Sequence, residues 1–66
     1  MNRIKELRKE KKLTQQDVAD AMGISRRGFQ KWENGDSQLK PEKAKQLADF
    51  FGVSVGYLLN YSNSKK

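Results

Sequence analysis

The chain has 66 residues, of which 35% are apolar, and it carries a formal net charge of +6. A chain of this length forms one small domain, and its longest apolar run, of three residues, is far shorter than the ~20 residues that a membrane-spanning helix needs. Cysteine and histidine are both absent, which excludes disulfides, thiolate metal sites and a histidine general base.

Sequence signals predict five helices and give almost no indication of strands. The predicted helices span residues 2–12, 15–22, 26–34, 41–51 and 55–60. Residues that favour a helix start stand at their beginnings, namely Asn2, Thr14 with Asp17, Ser25, Pro41 and Ser54. Glycines that favour a helix end follow three of them, namely Gly23, Gly35 and Gly52.

The third predicted helix has two chemically different faces. Phe29 and Trp32 lie together at helical spacing, and this apolar side must pack against a core. We therefore interpret them as core residues and not as stacking platforms for single-stranded nucleic acid. The opposite, outward side carries Arg26, Arg27, Gln30 and Lys31. A basic face on a basic chain favours a polyanionic partner, with nucleic acid ahead of an anionic membrane surface.

The second and third predicted helices are joined by a turn too short to let them lie antiparallel. Counted from Gln15 as the first residue, Ala19 is fifth and Gly23 is ninth. Phe29 and Trp32 are fifteenth and eighteenth. A small residue suits the point where two helices cross, and glycine suits the positive φ of a tight turn. This spacing is typical of a helix-turn-helix.

Four short motifs add to this spacing. They are Leu-Thr-Gln at 13–15, Trp-Glu-Asn-Gly at 32–35, Leu-Ala-Asp-Phe-Phe-Gly-Val-Ser at 47–54 and Tyr-Leu-Leu at 57–59. Together they resemble the phage-repressor helix-turn-helix family, the lambda-repressor-like or Cro/cI-type DNA-binding domain, over about residues 4–60. The resemblance implies a compact, all-α, five-helix domain at residues 1–60, followed at 61–66 by a polar tail or the start of a linker.

The same resemblance implies a function. The protein is expected to be a sequence-specific regulator of transcription, with a repressor favoured, that binds double-stranded DNA as a dimer on a near-palindromic operator. The fifth predicted helix is short and contains Gly56, so we expect a weak homodimer that pairs cooperatively on DNA.

Roles for individual residues also follow from the resemblance, with the third helix as the recognition helix. Base contacts are expected from Arg26, Arg27 and Lys31. Phosphate contacts are expected from Gln15, Gln30, Asn34 and Lys40. A structural salt bridge is expected between Arg8 and Glu33, and dimer contacts are expected from Val55, Tyr57 and Leu58. Arginine and lysine bind both guanine and phosphate, so the choice between base and phosphate stays open for each of the three cations.

A second function class is a protein-interaction module on the same fold, such as an antitoxin or an adaptor. The outward side of the third helix carries three basic residues and no acidic residue, which favours DNA binding. An enzyme is not expected, because we find no catalytic cluster, and no cofactor, metal or small-molecule substrate is indicated. No signal peptide is expected, since Met1 leads into a charged stretch, so the expected compartment is the cytoplasm, with no membrane partner.

Overall fold

Five α-helices and no strands make up the secondary structure of residues 2–63, the part of the chain that the computed structural model describes. The helices are α1 (Ile4–Glu10), α2 (Gln15–Met22), α3 (Arg26–Asn34), α4 (Pro41–Phe51) and α5 (Val55–Leu58). The predicted all-α, five-helix class is confirmed. Residues 64–66 of the predicted tail lie outside the described residues. Within the described range, no helix combines the length and apolar character needed to cross a membrane.

The bounds predicted for α2, α3 and α4 are those that the structure has. Their ends are set by the capping residues that the sequence contains. Before α2, the Thr14 hydroxyl accepts from the Asp17 N–H at 3.0 Å, and the Thr14 N–H donates to Asp17 Oδ2 at 2.9 Å. After α2, Gly23 takes the left-handed conformation with φ 71°, which turns the chain into α3.

The predicted bounds of α1 and α5 are wrong by a few residues. Asn2 does accept from the Ile4 N–H, at 3.1 Å, but Arg3 occupies the N-cap position and the helix begins at Ile4. At the other end, Lys12 has φ 58°, a left-handed conformation that ends the helical path before α2. Asn60, with φ 65°, does the same after α5. Neither turn was predicted, because lysine does not favour this conformation, and asparagine, which adopts it more often than most residues, is a weaker signal than glycine.

The core lies where all five helices converge. Its buried apolar residues are Ile4, Leu7, Val18, Ala19, Met22, Phe29, Ala44, Leu47, Ala48, Phe51 and Leu58. Phe29 is fully buried, as predicted, and Trp32 packs edge-to-face against it with ring centroids 6.5 Å apart while staying half-buried. The α2–α3 pair therefore rests on the core through one face, and its other face remains available to a partner.

The two ends of the described chain meet beside α5. The Arg3 guanidinium lies 4.0 Å from the centroid of the Tyr57 ring, and its Nη1 donates to the carbonyl oxygens of Tyr57 at 3.1 Å and Ser62 at 2.8 Å. Its Nη2 donates to Asn63 Oδ1 at 3.1 Å. The beginning of the predicted polar tail is thus held against the domain, a contact that sequence patterns did not indicate.

The capping box before α2 makes stability depend on pH. The backbone N–H of Thr14, and then its side chain, hold the pKa of Asp17 below its ordinary value of 3.8. An acidic group with a lowered pKa stabilises the fold at pH values above its ordinary pKa, and this contribution is lost as the pH falls through the folded-state pKa.

The substitution Asp17→Asn tests this dependence, because asparagine keeps a hydrogen-bond acceptor but does not titrate. Between about pH 6 and about pH 2, we expect its melting temperature to fall less than that of the unaltered protein. Equal falls would contradict this expectation.

Candidate nucleic-acid interface

The outward side of α3 is basic along its length. Arg26, Arg27 and Lys31 are all exposed. The helix that carries them is fixed at both ends, since the Ser25 hydroxyl accepts a first-turn N–H at 3.1 Å and Gly35 closes the last turn with φ 77°. Three cations therefore project from a well-capped helix whose opposite face is anchored in the core, an arrangement that suits a polyanion.

An open cleft separates the start of α3 from the start of α2. It is lined by Arg8, Lys12, Leu13, Thr14, Gln15, Gln16 and Arg26. None of these described residues carries a carboxylate. The first N–H groups of a helix and the positive end of its dipole favour anions. The cleft therefore suits a phosphate group, and Arg26 borders this cleft as well as the outward side of α3.

The predicted pair of Arg8 and Glu33 is in direct contact beneath this cleft. Arg8 Nε donates to Glu33 Oε2 at 2.6 Å, and only 10% and 2% of the two side chains remain exposed. Arg8 Nη1 also donates to the carbonyl oxygen of Leu13, at 2.9 Å. The pair joins α1 to the end of α3 and holds the turn before α2, so it connects all three helices that border the interface.

Two glutamines extend this contact to the edge of the interface. Gln15 Nε2 donates to Glu33 Oε1 at 2.9 Å, and Gln30 Nε2 donates to Gln15 Oε1 at 2.8 Å. Both glutamines are half-buried. Sequence reasoning predicted phosphate contacts for both of them but not their contact with each other. No local pattern relates side chains on different helices, so the fold was needed to find the network.

The remaining predicted residues lie elsewhere. Asn34 is exposed at the end of α3, and Lys40 is exposed at the N-cap of α4, where it lines a separate groove with Leu39 and Pro41. The structure does not bring Lys40 into the cleft at α2.

The predicted dimer surface needs one correction. Val55 and Tyr57 are half-buried, but Leu58 has no exposed area. Leu58 follows the inward side of α5, and its carbonyl oxygen accepts from the Arg3 N–H at 2.8 Å. It is a core residue and is not available to a second copy of the chain.

Residues 4–58 match a family model described as helix-turn-helix. The match covers most of the chain and all five helices, so the protein belongs to the helix-turn-helix family of the Cro/cI, phage-repressor type. The resemblance seen in the sequence motifs is confirmed. Proteins of this family are DNA-binding regulators of transcription.

Individual relatives have regulatory names. The chain is 35% identical to the uncharacterized HTH-type transcriptional regulator YqaE of Bacillus subtilis, over 96% of this chain and 54% of that protein. It is 32% identical to the cryptic phage CTXphi transcriptional repressor RstR of Vibrio cholerae, over 96% of this chain and 57% of the repressor. It is 34% identical to the HTH-type transcriptional activator BcrR of Enterococcus faecalis, over 88% of this chain and 28% of the activator.

The chain thus spans about half the length of the first two relatives and 28% of the length of the third. No solved structure is significantly similar to it.

The buried ion pair predicts a coupled pair of substitutions. Removing one partner of a fully buried pair costs up to about 3–5 kcal/mol, because the other charge is left without compensation. Arg8→Ala and Glu33→Ala should each lower the free energy of unfolding, measured by thermal or denaturant melting. The double variant should be no less stable than the worse single variant. Strictly additive losses would contradict the coupling.

The exposed pair of Lys45 and Asp49 provides the control. Its charged atoms lie 3.6 Å apart on α4, with 73% and 70% of the side chains exposed. Because such surface pairs are worth at most about 0.5 kcal/mol, the same cycle at Lys45 and Asp49 should give almost no coupling.

Proposed function

We propose that this protein is a sequence-specific regulator of transcription that binds double-stranded DNA with α3 in the major groove. The observation that carries the proposal is the outward side of α3, where three cations are exposed while the acidic residue of the helix, Glu33, is buried against Arg8. Family membership and the net charge of +6 support it. We further propose that the protein is cytoplasmic, because it acts on DNA.

The base contacts are assigned to Arg26, Arg27 and Lys31. The guanidinium of arginine pairs bidentately with guanine O6 and N7, and lysine donates to the same atoms. Arg27 and Lys31 are four residues apart and so lie on the same side of α3. Arg26 also borders the cleft at α2, so it is within reach of a phosphate as well as of the groove.

The phosphate contacts are assigned to residues around this helix. Gln15 and the backbone N–H groups at the start of α2 would hold one phosphate, since a helix start favours anions. Asn34 and Lys40 would contact the backbone beyond the end of α3. Such contacts fix the orientation of a protein on DNA without selecting sequence.

The direction of regulation is proposed to be repression. The support is the likeness to the repressor of the cryptic phage, which aligns with 96% of this chain. The activator among the relatives aligns with 88% of the chain, and the aligned part is only 28% of its own length. A reporter gene placed behind the selected operator tests the direction, since a repressor lowers its expression and an activator raises it.

Selection of bound sites from random duplex DNA tests DNA binding and measures sequence preference at each position. Arg27→Ala should cost about 1–3 kcal/mol of binding free energy and relax the preference at one position of each half-site. Lys40→Ala should weaken all sequences alike and reduce the salt dependence by about one phosphate contact. Lys45→Ala, on the exposed side of α4, is the control. If neither Arg26→Ala nor Arg27→Ala changes sequence preference, the assignment of α3 is wrong.

Assembly on the operator is proposed to be dimeric. One recognition helix covers too few base pairs to select one site in a genome, and two copies fix half-sites about 34 Å apart. The surface proposed for pairing is α5 with Val55 and Tyr57. Only four residues long, α5 offers little area, and Arg3 already lies on the Tyr57 ring.

The domain should therefore sediment as a monomer or a weak dimer at micromolar concentration. Titration onto a full operator should give cooperative binding of two chains, because each bound copy places α5 beside its neighbour. A tight dimer without DNA, or binding of one chain to a full palindrome, would contradict this assembly.

A further inference from the structure

We infer that Gln30 contacts a base and recognises adenine, and that Gln15, Glu33 and Arg8 fix the orientation of its side-chain amide. The inference rests on the proposed function and refines it, since Gln30 was predicted from the sequence to contact a phosphate.

The carboxylate of Glu33 sets the direction of every bond in the network. It is paired with Arg8, its side chain is 2% exposed, and both of its oxygens are acceptors. Arg8 donates to Oε2 at 2.6 Å, which leaves Oε1 to accept from Gln15. A glutamine next to a carboxylate oxygen must present its NH2 group, because two oxygens would repel. The Gln15 amide is therefore held in one of its two orientations.

This orientation is passed on to Gln30. With Nε2 turned toward Glu33, Gln15 presents Oε1 on the other side of its amide, and Oε1 accepts from Gln30 Nε2 at 2.8 Å. Gln30 must likewise present its NH2 group to Gln15. A buried charge pair between α1 and α3 thus decides which end of an amide at the edge of the interface is the donor.

Gln30 keeps unused hydrogen-bonding groups after this contact. Its Oε1 has no hydrogen bond to another described residue, and no buried side-chain nitrogen or oxygen in residues 2–63 lacks a partner. Its Oε1 is therefore open to solvent, and Nε2 retains a second hydrogen. Gln30 lies one helical turn after Arg26 and next to Lys31 on α3, so the free acceptor and the free donor stand beside the basic outward side.

Adenine is the base whose major-groove edge matches this pair of groups. Its N6 amino group donates and its N7 accepts, whereas guanine presents two acceptors, and cytosine and thymine offer one hydrogen-bonding group each. A phosphate offers acceptors only, so it could accept from the free Nε2 hydrogen but would leave the Gln30 oxygen unused. Because the amide is already held in place, contact with adenine would not require a long, flexible side chain to lose further freedom.

The test compares sequence preference among four proteins: the unaltered chain, Gln30→Ala, Gln15→Ala and Gln16→Ala. Each is used to select sites from random duplex DNA, and binding is then measured on the selected operator and on operators with single base changes. Thermal melting of each variant checks that it is folded. Gln16 is the matched control, because it is an exposed glutamine on α2 whose Nε2 donates to Asp20 at 2.7 Å, outside the network.

The unaltered protein should prefer an A·T pair at one position of each half-site, by about 5- to 150-fold over other pairs. Gln30→Ala should abolish the preference at that position and leave the other positions intact. Gln15→Ala should reduce the preference at the same position, since the amide is no longer oriented, and should also weaken binding to all sequences. Gln16→Ala should keep the full preference.

The outcomes separate this inference from the function on which it rests. If the unaltered protein binds without sequence preference, or does not bind, the proposed function fails. If it has a defined operator and Gln30→Ala weakens all sequences equally or has no effect, Gln30 is not a base contact and the inference is overturned. If only Gln30→Ala relaxes the position, the orienting role of Gln15 is overturned.

Discussion

The ion pair between Arg8 and Glu33 is the contact on which the position of α3 depends. Phe29 is the only residue of α3 that is fully buried, and half-buried Trp32 packs beside it, so the two rings form one apolar anchor on one side of the helix. Glu33 supplies the second anchor, and it is nearly inaccessible to solvent. Burying two charges costs desolvation, so such a pair adds little net stability, but it tolerates few alternative arrangements. For this protein we expect the pair to fix the presentation of the outward cations.

The charged residues of α3 lie on opposite sides of the helix according to the sign of their charge. Glu33 points inward and is neutralised by Arg8, so its carboxylate does not face a polyanion. Arg27 and Lys31 point outward and keep their charge in solvent, where it attracts phosphates over several ångströms and where salt screens it. A helix that contains both signs thus presents only one of them. Binding to DNA through this surface would weaken steeply with salt, because phosphate contacts release counterions.

The sequence determined much of the fold because local chemistry marks the helix ends. The capping box at Thr14 and the left-handed glycine at 23 bracket α2, and both operate within a few residues of each other. The turn at Lys12 was missed, because lysine is not a residue type that indicates the positive φ observed there. Contacts across the chain were harder still. The hydrogen bond between Gln15 and Gln30 depends on how α2 and α3 cross, whereas helical periodicity describes only the faces of a single helix.

As with the fold, the sequence predicted only the part of the candidate site that depends on the periodicity of a single helix. Exposure of Arg27 and Lys31 followed from helical spacing opposite Phe29, because a helix with one buried face must expose the other. Burial of Leu58 did not follow, because α5 is too short for its own periodicity to separate an inward from an outward side.

The contacts of Arg3 make the described chain nearly a closed ring. Its guanidinium donates to Asn63 Oδ1 at 3.1 Å, so two residues near opposite ends of the described chain are joined by one hydrogen bond. A short connection across this gap and a new opening in the exposed loop between α3 and α4 would give a circularly permuted chain with the same helix packing.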